Sequence, residues 1–355
     1  MTKKQKAAKK RRNRKILIVV IELLVLAILA AVLYVVVQLS KIEKEVTFTP
    51  EDIKVNDEIS SESLEIMEGY TSIALFGLDN RSNGNLSKGN SDVIMIASIN
   101  NDTHEVKLVS IYRDSYLDIG DNTYRKCNSA YAKGGPEQAI NMLNTNLDLN
   151  ITDYVTVDFN AVVECVDLLG GVEITITDLE AVLMYGYMDE INKLTKNNSE
   201  YLPGAGTYNM DGVQACAYAR IRQTTGSDYK RTERQRTIIA AMVEKAQKAD
   251  LKTINKLIDT VFGDIKTSFS NTDLIALAAK VFDYKLGETA GFPFVKNTIK
   301  LGSKGDCVIP CDLESNVIEL HKFLYNEEDY VPTEKVKKNS QQIIEDTGYH
   351  QEDGY

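Results

Sequence analysis

ITDYVTVDFNAVVECVDLLGGVEITIT, residues 151–177, is the stretch that determines the fold class. ITDYVTVDF alternates and is rich in β-branched residues, which predicts a strand. Asn160 then caps an apolar run that ends at the glycine pair 170–171, as expected for a short helix. VEITIT (172–177) predicts a second strand. This strand–helix–strand order indicates an α/β fold.

Segments on the N-terminal side complete the predicted sheet. TSIALFGLDN (71–80) is an apolar strand pattern that ends in turn-forming residues. SDVIMIASIN (91–100) and EVKLVSIYRDSYLDI (105–119) flank the turn NDTH and predict an antiparallel hairpin. GGPEQAINMLNTNL (134–147) places Pro136 at a first helical position, which predicts a helix. We therefore expect a mixed central β-sheet flanked by helices on both faces.

The first 39 residues predict a membrane anchor. Residues 1–15 carry nine basic residues and no acidic one. Residues 16–39 are apolar apart from Glu22 and Gln38, and about 20 apolar residues suffice to cross a bilayer as one helix. Because a basic flank stays in the cytoplasm, we expect a single-pass protein of the cell membrane with residues 1–15 inside and everything after Leu39 outside.

The rest of the chain divides into three parts. Residues 40–69 are polar, acidic and weakly periodic, which predicts a juxtamembrane spacer. Residues 70–325 carry the patterns of one extracellular domain, including a mostly polar excursion with a short helix at 178–210 and an edge strand at 291–301. Residues 326–355 are polar and acidic, which predicts a disordered tail.

Charge and motif content exclude several functions. Removing nine cations and Glu22 from the totals of 41 basic and 51 acidic residues leaves 32 against 50 in residues 40–355, a net charge of −18. A domain this acidic is not expected to bind nucleic acid. The sequence contains no GxSxG, P-loop or GxGxxG motif. Its three histidines and five cysteines show no zinc-binding spacing, and the pairing of the cysteines stays open.

AYARIRQTTGSDYKRTERQR (217–236) is the densest basic stretch after the membrane segment. Arg220 and Arg222 lie two apart where a helix is expected to pass into a strand, so both would project from one face. Arg231, with Arg234 and Gln235 three and four residues further on, presents a basic patch on one face of the next helix, whose N-terminus adds a positive dipole. Arginine binds phosphate well because its guanidinium group is a planar fork of donors. We interpret this stretch as a polyanion site, and a solvated helix face is the alternative.

Two further groups lie at predicted strand ends, where α/β sheets bind ligands. Asp79 and Asp92 flank one loop and are candidates for binding a hard cation such as Mg²⁺, which takes one or two carboxylates together with substrate phosphates. Ordinary turn chemistry is the alternative for both. Arg113 and Asp114 end the strand that pairs with the one beginning near Asp92, and a structural salt bridge is their alternative role.

Six ordered sequence blocks between residues 70 and 250 resemble the LytR–CpsA–Psr family of membrane-anchored cell-wall enzymes. The blocks are GLDNR, SDVIMIASIN, SIYRD, KCNSAYAKGGPEQAI, DYVTVDF with VDLLGGVEI, and MDGVQACAYARIR with SDYKRTERQR. The resemblance implies an α-β-α sandwich and a phosphotransferase. Such an enzyme takes a glycopolymer from an undecaprenyl-pyrophosphate carrier and attaches it to peptidoglycan through a phosphodiester.

The resemblance also implies roles for individual residues. Asp79 and Asp92 match carboxylates associated with Mg²⁺ or Mn²⁺. The residues implied to bind pyrophosphate are Arg81, Arg113, Arg220, Arg222, Arg231 and Gln235. The implied catalytic residues are Arg113, Asp228 and Arg231, with Asp228 as the candidate general base. Lys230, Arg234 and Arg236 are interpreted as surface charge.

Two structural hypotheses accompany this resemblance. Helices 136–147 and 161–169 are candidate walls for the first isoprene units, and a core role is the alternative for both. A disulfide between Cys127 and Cys216 would brace the site.

Three alternative functions remain open. A transcriptional attenuator is disfavoured because the predicted topology leaves only residues 1–15 in the cytoplasm. A wall-binding domain without activity and a lipid pyrophosphatase, in which water accepts the phosphate, are the others. The sequence does not distinguish teichoic acid, capsule or another wall glycan as the polymer.

Overall fold

The computed structural model describes residues 52–78, 86, 89–223, 227–261, 265–270, 273, 277 and 280–355. The predicted cytoplasmic segment, the predicted membrane helix, Asp79 and Arg81 lie outside these residues. Within the described ranges, no helix combines the length and the apolar character needed to cross a membrane. All the described residues belong to one compact unit, Lys44–Tyr355.

The elements of the described residues alternate along the chain as the sequence predicts for an α/β fold. The strands are β1 (Tyr70–Leu78), β2 (Ser91–Asn100), β3 (Glu105–Ile111), β4 (Tyr116–Asp118), β5 (Tyr124–Lys126), β6 (Asp153–Val157), β7 (Val172–Ile176), β8 (Gly206–Met210), β9 (Lys266–Thr267), β10 (Lys285–Phe292), β11 (Lys296–Lys300) and β12 (Asp306–Pro310). The helices are α1 (Ser61–Glu68), α2 (Ser129–Leu147), α3 (Phe159–Leu168), α4 (Asp178–Thr195), α5 (Gly212–Arg220), α6 (Ser227–Lys248), α7 (Leu251–Val261), α8 (Leu313–Tyr325) and α9 (Glu334–Thr347).

The central sheet of the described chain has six strands in the order β10-β3-β2-β1-β6-β9. β2 pairs antiparallel with both β1 and β3, which confirms the predicted hairpin. β6 runs parallel to β1, and β10 runs parallel to β3 at the edge, so the sheet is mixed as predicted. The expected edge strand at 291–301 is only partly correct, because residues 296–300 form β11, which pairs with β12 in a separate ribbon.

Helices cover both faces of the sheet, and the side chains of β1 show how the faces are divided. Phe76 and Leu78 belong to the main core, which also receives residues of α1, α2, α8 and α9. Ile73 points to the other face and packs in a smaller core with Phe269, against which Ile239 of α6 lies. Strand residues two apart share a face, so β1 contributes to both cores.

Residues 178–210 form more regular structure than the short helix that the sequence predicts. α4 has 18 residues and begins at a capping box between Thr177 and Glu180. β8 then pairs with β7 in a two-stranded ribbon, and both pack with α3, α4 and α5 in a separate core. α3 and α5 touch through their backbones, since a Cβ atom on Gly212 would collide with the backbone of Val163.

The predicted spacer extends too far towards the C-terminus. Ile53, Ile59 and Met67 are buried in the main core, so residues 52–69 belong to the folded domain. Ser60 precedes α1 and caps it, because its side chain accepts a hydrogen bond from the backbone N–H of Ser63. Three apolar side chains in an acidic stretch are enough to attach it to the domain, because burial of each stabilises by about 1.5–3 kcal/mol.

The prediction of a disordered tail at 326–355 is wrong. α9 packs on α8, and its residues Val336 and Ile343 are completely buried in the main core. Thr333 caps α9 and also donates from its hydroxyl to Asp148 Oδ1 at 2.7 Å, which ties the segment to the end of α2. The polar composition of the segment reflects its exposed face, while its buried stripe holds it in the domain.

Candidate active site

A cavity of about 430 Å³ lies between the central sheet and helices α3, α5 and α6. Its apolar lining includes Leu75, Val93, Val155, Val162, Ile239 and Met242. The predicted lipid wall at 161–169 therefore lines a cavity, through Ala161, Val162 and Cys165. The other predicted wall, helix 136–147, packs into the main core instead, which is the alternative that the sequence left open.

Polar residues of the cavity include Asp92 near the start of β2 and residues from the ends of α5 and α6. Asp92, Arg220, Arg222, Arg231 and Gln235 all line it. Arg231 Nη2 lies 3.4 Å from the carbonyl oxygen of Asp92, which fixes this part of α6 next to β2. Met242 lies roughly 16 Å further along the same helix, at 1.5 Å per residue, so the cavity has a charged end and an apolar end.

A β-bulge presents Asp92 to this cluster. Gly77 pairs with Val93 and Leu78 pairs with Ser91, so Asp92 is the extra residue in β2. Bulges turn a side chain away from the regular pleat and are common beside active sites. The Asp92 carboxylate accepts from two arginines: Oδ1 lies 2.5 Å from Arg113 Nη1 and Oδ2 lies 3.1 Å from Arg222 Nη2.

Asp228 and Arg231 form the second ion pair of the cluster. Arg231 Nη2 lies 2.7 Å from Asp228 Oδ1, and Arg113 Nε lies 3.7 Å from the same oxygen. Burial lowers the pKa of Arg231 to about 10, although the charge of Asp228 opposes this shift. Burial likewise raises the pKa of Asp228 above its usual range, and the charges of Arg231 and Arg113 only partly offset the effect. Both groups are thus held in a poorly solvated environment.

Arg113 responds differently because acidic groups surround it. Burial alone would lower the pKa of Arg113, but the charges of Asp92, Asp114 and Asp228 raise it overall. Asp114 lies 3.8 Å from Arg113 Nε and also pairs with Lys126 at 3.0 Å. Arg113 therefore stays a cation and lies between Asp92 and Asp228, the acidic residues of the two ion pairs.

Arg220 sits against the wall of the cavity. Its Nη2 lies 3.1 Å from Glu190 Oε2 of α4, and its guanidinium carbon lies 4.7 Å from the ring centre of Phe159 and 5.2 Å from that of Tyr187. Arg220 is the last residue of α5, and the described residues that follow it, 221–223, are irregular, so the predicted strand does not begin at Arg222. Glu190 and Tyr187 belong to α4 and Phe159 belongs to α3, and no local pattern marked these three residues as neighbours of Arg220.

Several polar atoms of the cluster are buried and lack a hydrogen-bond partner among the described residues. They are Arg113 Nε, Arg220 Nη1, Arg231 Nε and Nη1, Asp228 Oδ2 and Gln235 Oε1. Leaving such a group unpaired costs about 1–3 kcal/mol. Four of these atoms are cationic donors, which indicates a ligand with several anionic oxygens. The two acceptors indicate that the ligand also brings a donor such as a hydroxyl group.

The remaining basic residues of the stretch 217–236 differ in their exposure. Lys230 is exposed and pairs with Glu233, as expected for surface charge. Arg234, which was also interpreted as surface charge, is buried: its Nε donates to Glu180 Oε1 at 2.9 Å and its Nη1 donates to the carbonyl of Ile221 at 3.3 Å. Arg236 is half-buried, so the interpretation as surface charge fails for both arginines.

The cysteines do not brace the site. Cys127, Cys165, Cys216, Cys307 and Cys311 are all free thiols, so the hypothesis of a Cys127–Cys216 disulfide is wrong. The thiol of Cys127 instead donates to the backbone carbonyls of Tyr112 and Arg113 at 3.3 Å, behind the catalytic candidates.

Asp92 has the right chemistry for a divalent cation, and each of its carboxylate oxygens already accepts from an arginine. A carboxylate is the ligand that Mg²⁺ prefers, and one or two suffice when a substrate supplies phosphate oxygens. The second predicted ligand, Asp79, lies outside the described residues. Across the described part of the chain, no three His, Cys, Asp or Glu side chains gather as a metal-binding group. A cation at Asp92 would therefore compete with Arg113 and Arg222 for the same carboxylate oxygens.

The fold and the site define an α/β protein with an apolar cavity that ends in a buried arginine cluster. The model of the LytR_cpsA_psr family matches residues 33–289, and the chain belongs to this family. The resemblance drawn from the six sequence blocks is thereby confirmed.

Several relatives of the chain are named as teichoic acid transferases. It is 30% identical over 217 residues to the polyisoprenyl-teichoic acid–peptidoglycan teichoic acid transferase TagU of Enterococcus faecalis, covering 60% of this chain and 65% of that protein. It is 25% identical over 279 residues to the transferase TagV of Bacillus subtilis, covering 77% and 68%. The match to TagU thus spans less than two thirds of that relative's length.

Solved structures support the fold. A crystal structure from Streptococcus agalactiae superposes with a TM-score of 0.61 at 23% identity, covering 78% of this chain and 93% of that chain.

Proposed function

We propose that this protein transfers a glycopolymer from a polyprenyl-pyrophosphate carrier to peptidoglycan by forming a phosphodiester. The observation that carries the proposal is the set of buried, unpartnered donor atoms on Arg220 and Arg231, which line an apolar cavity, and on Arg113, which pairs with Asp92 of the same cavity. A pyrophosphate with a hydrocarbon chain matches both features, because its oxygens accept from the arginines and its chain fills the cavity. The names of the relatives support this substrate class.

The arginines supply most of the proposed chemistry. When the acceptor hydroxyl attacks the phosphorus next to the glycan, a new P–O bond forms and the bridging P–O bond of the pyrophosphate breaks. Negative charge then develops on the departing polyprenyl phosphate, and fixed guanidinium groups stabilise it without a covalent enzyme intermediate. Arg231 is suited to this role because it is buried and its donors are already oriented.

Asp228 is the proposed general base. The hydroxyl must lose a proton as it attacks, and Asp228 Oδ2 is a buried acceptor that has no partner among the described side chains. The raised pKa of Asp228 strengthens it as a base, since the efficiency of a catalytic base rises as its pKa approaches the working pH. Transfer of the hydroxyl proton to Oδ2 balances the step.

Mg²⁺ or Mn²⁺ is part of the proposal. Asp92, together with Asp79, would hold the ion, which would supply positive charge to the pyrophosphate oxygens. We also propose that residues 16–39 anchor the protein in the cell membrane with the catalytic domain outside, because the lipid of the carrier stays in the bilayer.

Transfer is tested with the full-length protein in detergent, lipid-linked wall glycan, Mg²⁺ and isolated peptidoglycan. We expect glycan attached covalently to the peptidoglycan together with released polyprenyl phosphate. Release of polyprenyl phosphate with no glycan on the wall would identify a pyrophosphatase instead. Binding of wall material with neither product would leave only a wall-binding domain. Comparing carriers that bear teichoic acid or capsule identifies the polymer.

A further inference from the structure

The Asp92 carboxylate accepts hydrogen bonds from two guanidinium groups, as a phosphate group would. Each of its oxygens accepts from a different arginine, Oδ1 from Arg113 at 2.5 Å and Oδ2 from Arg222 at 3.1 Å. Hydrogen bonds between ionised partners are roughly twice as strong as neutral ones. The side chains of Asp92 and Arg113 are each 18% exposed, so solvent weakens their contact little. Arg222 is 40% exposed, so its contact with Asp92 is the more strongly screened of the two.

We propose that Asp92 is a placeholder for the pyrophosphate. It holds Arg113 and Arg222 until a pyrophosphate group takes over both guanidinium groups, and the freed carboxylate then ligates a divalent cation. This inference rests on the proposed function, because that function makes pyrophosphate the ligand.

The backbone around Asp92 is fixed, so the exchange needs only side-chain rotation. Ser91 and Val93 pair with Leu78 and Gly77 on either side of the bulge. The carbonyl of Asp92 itself accepts from Arg231 at 3.4 Å. The side chain can therefore change partners without disturbing β2, as expected of a group with two functional contacts.

The placeholder couples the two ligands. A cation at Asp92 removes the competitor for Arg113 and Arg222, and a pyrophosphate on these arginines removes the competitor for the cation. Each ligand must then raise the affinity for the other by the same factor, since coupling between sites is reciprocal. In the alternative, the cation and the pyrophosphate attract each other directly and do not compete with the Asp92–arginine contacts. Breaking those contacts would then change neither the affinity for the cation alone nor the affinity for pyrophosphate alone.

The first experiment measures the affinity of inorganic pyrophosphate for the full-length protein by calorimetry, with a chelator present to exclude cations. Asp92→Asn removes the charge that competes for the arginines, so we expect binding about tenfold tighter than in the wild type, within the usual range of coupling between sites. Asp114→Asn is the matched control. It removes the same charge at 3.8 Å from Arg113 Nε, but Asp114 pairs mainly with Lys126, so we expect a much smaller effect.

The second experiment measures Mn²⁺ affinity by electron paramagnetic resonance, with no pyrophosphate present. Arg222→Ala frees one oxygen of Asp92, so we expect Mn²⁺ to bind about tenfold tighter. Arg220→Ala is the control, because it removes the same charge from the same cavity but its partner is Glu190. Asp92→Asn should abolish the binding.

The outcomes separate the placeholder from the proposed function. The placeholder is excluded if Asp92→Asn binds pyrophosphate no tighter than Asp114→Asn does. It is also excluded if Arg222→Ala and Arg220→Ala change Mn²⁺ affinity equally. Either result would mean that the changes in affinity reflect only the loss of a nearby charge. If both affinity changes occur but no glycan transfer is ever detected, the placeholder stands and the transferase proposal fails.

Discussion

Arg231 and Asp228 lie three residues apart on α6 and form an ion pair of 2.7 Å, in which the arginine side chain is only 2% exposed. A buried arginine is costly unless its charge is compensated, and Asp228 accounts for only one of its nitrogens. Nε and Nη1 of Arg231 are buried without partners in the described structure. The pair thus holds the arginine in place and leaves most of its donors directed at a ligand.

Replacing Arg231 by lysine should abolish most of the transfer activity while keeping the fold. Lysine retains the charge that pairs with Asp228 but loses the planar fork that binds a phosphate with two nitrogens. We expect the rate of glycan transfer to fall by at least about 100-fold, as when a donor to a developing oxyanion is lost. Lys230→Ala, on the exposed face of the same turn, is the control and should stay within about twofold. A lysine variant with near wild-type rates would exclude this role for Arg231.

The pH dependence of transfer should report Asp228. Its carboxyl must be ionised to accept a proton, so activity is present above its pKa and is lost as the pH falls through it. Because burial raises this pKa, the acidic limb of kcat/KM should lie above the value of about 3.9 for an ordinary aspartate. Asp228→Asn should lower the rate by roughly 100-fold or more.

Asp114→Asn provides the control for this assignment. The charge of Asp114 contributes to raising the pKa of Asp228, so its removal should move the acidic limb towards lower pH. A limb that does not move in this variant, or one that persists in Asp228→Asn, would point to another titrating group.

Narrowing the cavity should separate binding of the lipid from binding of the pyrophosphate. Val162 of α3 lines the cavity, and phenylalanine at this position would occupy space intended for hydrocarbon. We expect Val162→Phe to weaken binding of a polyprenyl pyrophosphate by about tenfold or more, because burial of each CH₂ group is worth about 0.8 kcal/mol. Affinity for inorganic pyrophosphate should not change.

Leu168→Phe, on the same helix but outside this cavity, should alter neither affinity. Equal weakening of both ligands by Val162→Phe would indicate a general distortion of the site and contradict a lipid-binding cavity.

The C-terminal helix should be required for stability. Ile343 of α9 is completely buried, and truncation of such a side chain to alanine typically costs about 2–5 kcal/mol. Chemical denaturation of Ile343→Ala should show this loss in the free energy of unfolding. Lys338→Ala, at an exposed position of the same helix, should change it by less than about 0.5 kcal/mol. Equal stability of the two variants would show that α9 is not part of the cooperative unit.

The strands and most helices could be predicted from local patterns, whereas the features set by tertiary contacts could not. The β2–β3 hairpin follows from two strand-like segments on either side of a short turn. The bulge at Asp92 arises from register between strands, which no single segment encodes. Arg234 looks like surface charge in the sequence because its partner, Glu180, lies 54 residues away on α4.

The misinterpreted tail has a different cause. The buried stripe of α9 follows helical spacing, but two of its four positions are Asn339 and Ser340. Asn339 donates to Asn146 Oδ1 at 3.0 Å and Ser340 donates to Asp312 Oδ1 at 2.9 Å, so both are buried with their hydrogen bonds satisfied. A hydrophobic pattern cannot reveal a stripe that is held in place partly by polar side chains.

Because the backbones of α3 and α5 are in close contact at Gly212, we expect the two helices to move together. α3 carries Val162 on the wall of the cavity, and α5 ends in Arg220. If the cavity holds a lipid as proposed, a shift of α3 that widened the space for a thicker or more branched chain would also move Arg220 and weaken its contact with the head group. Under the same proposal, residues of the opposite wall such as Ile239 and Met242 of α6 could change selectivity for the shape of the carrier without moving Arg220.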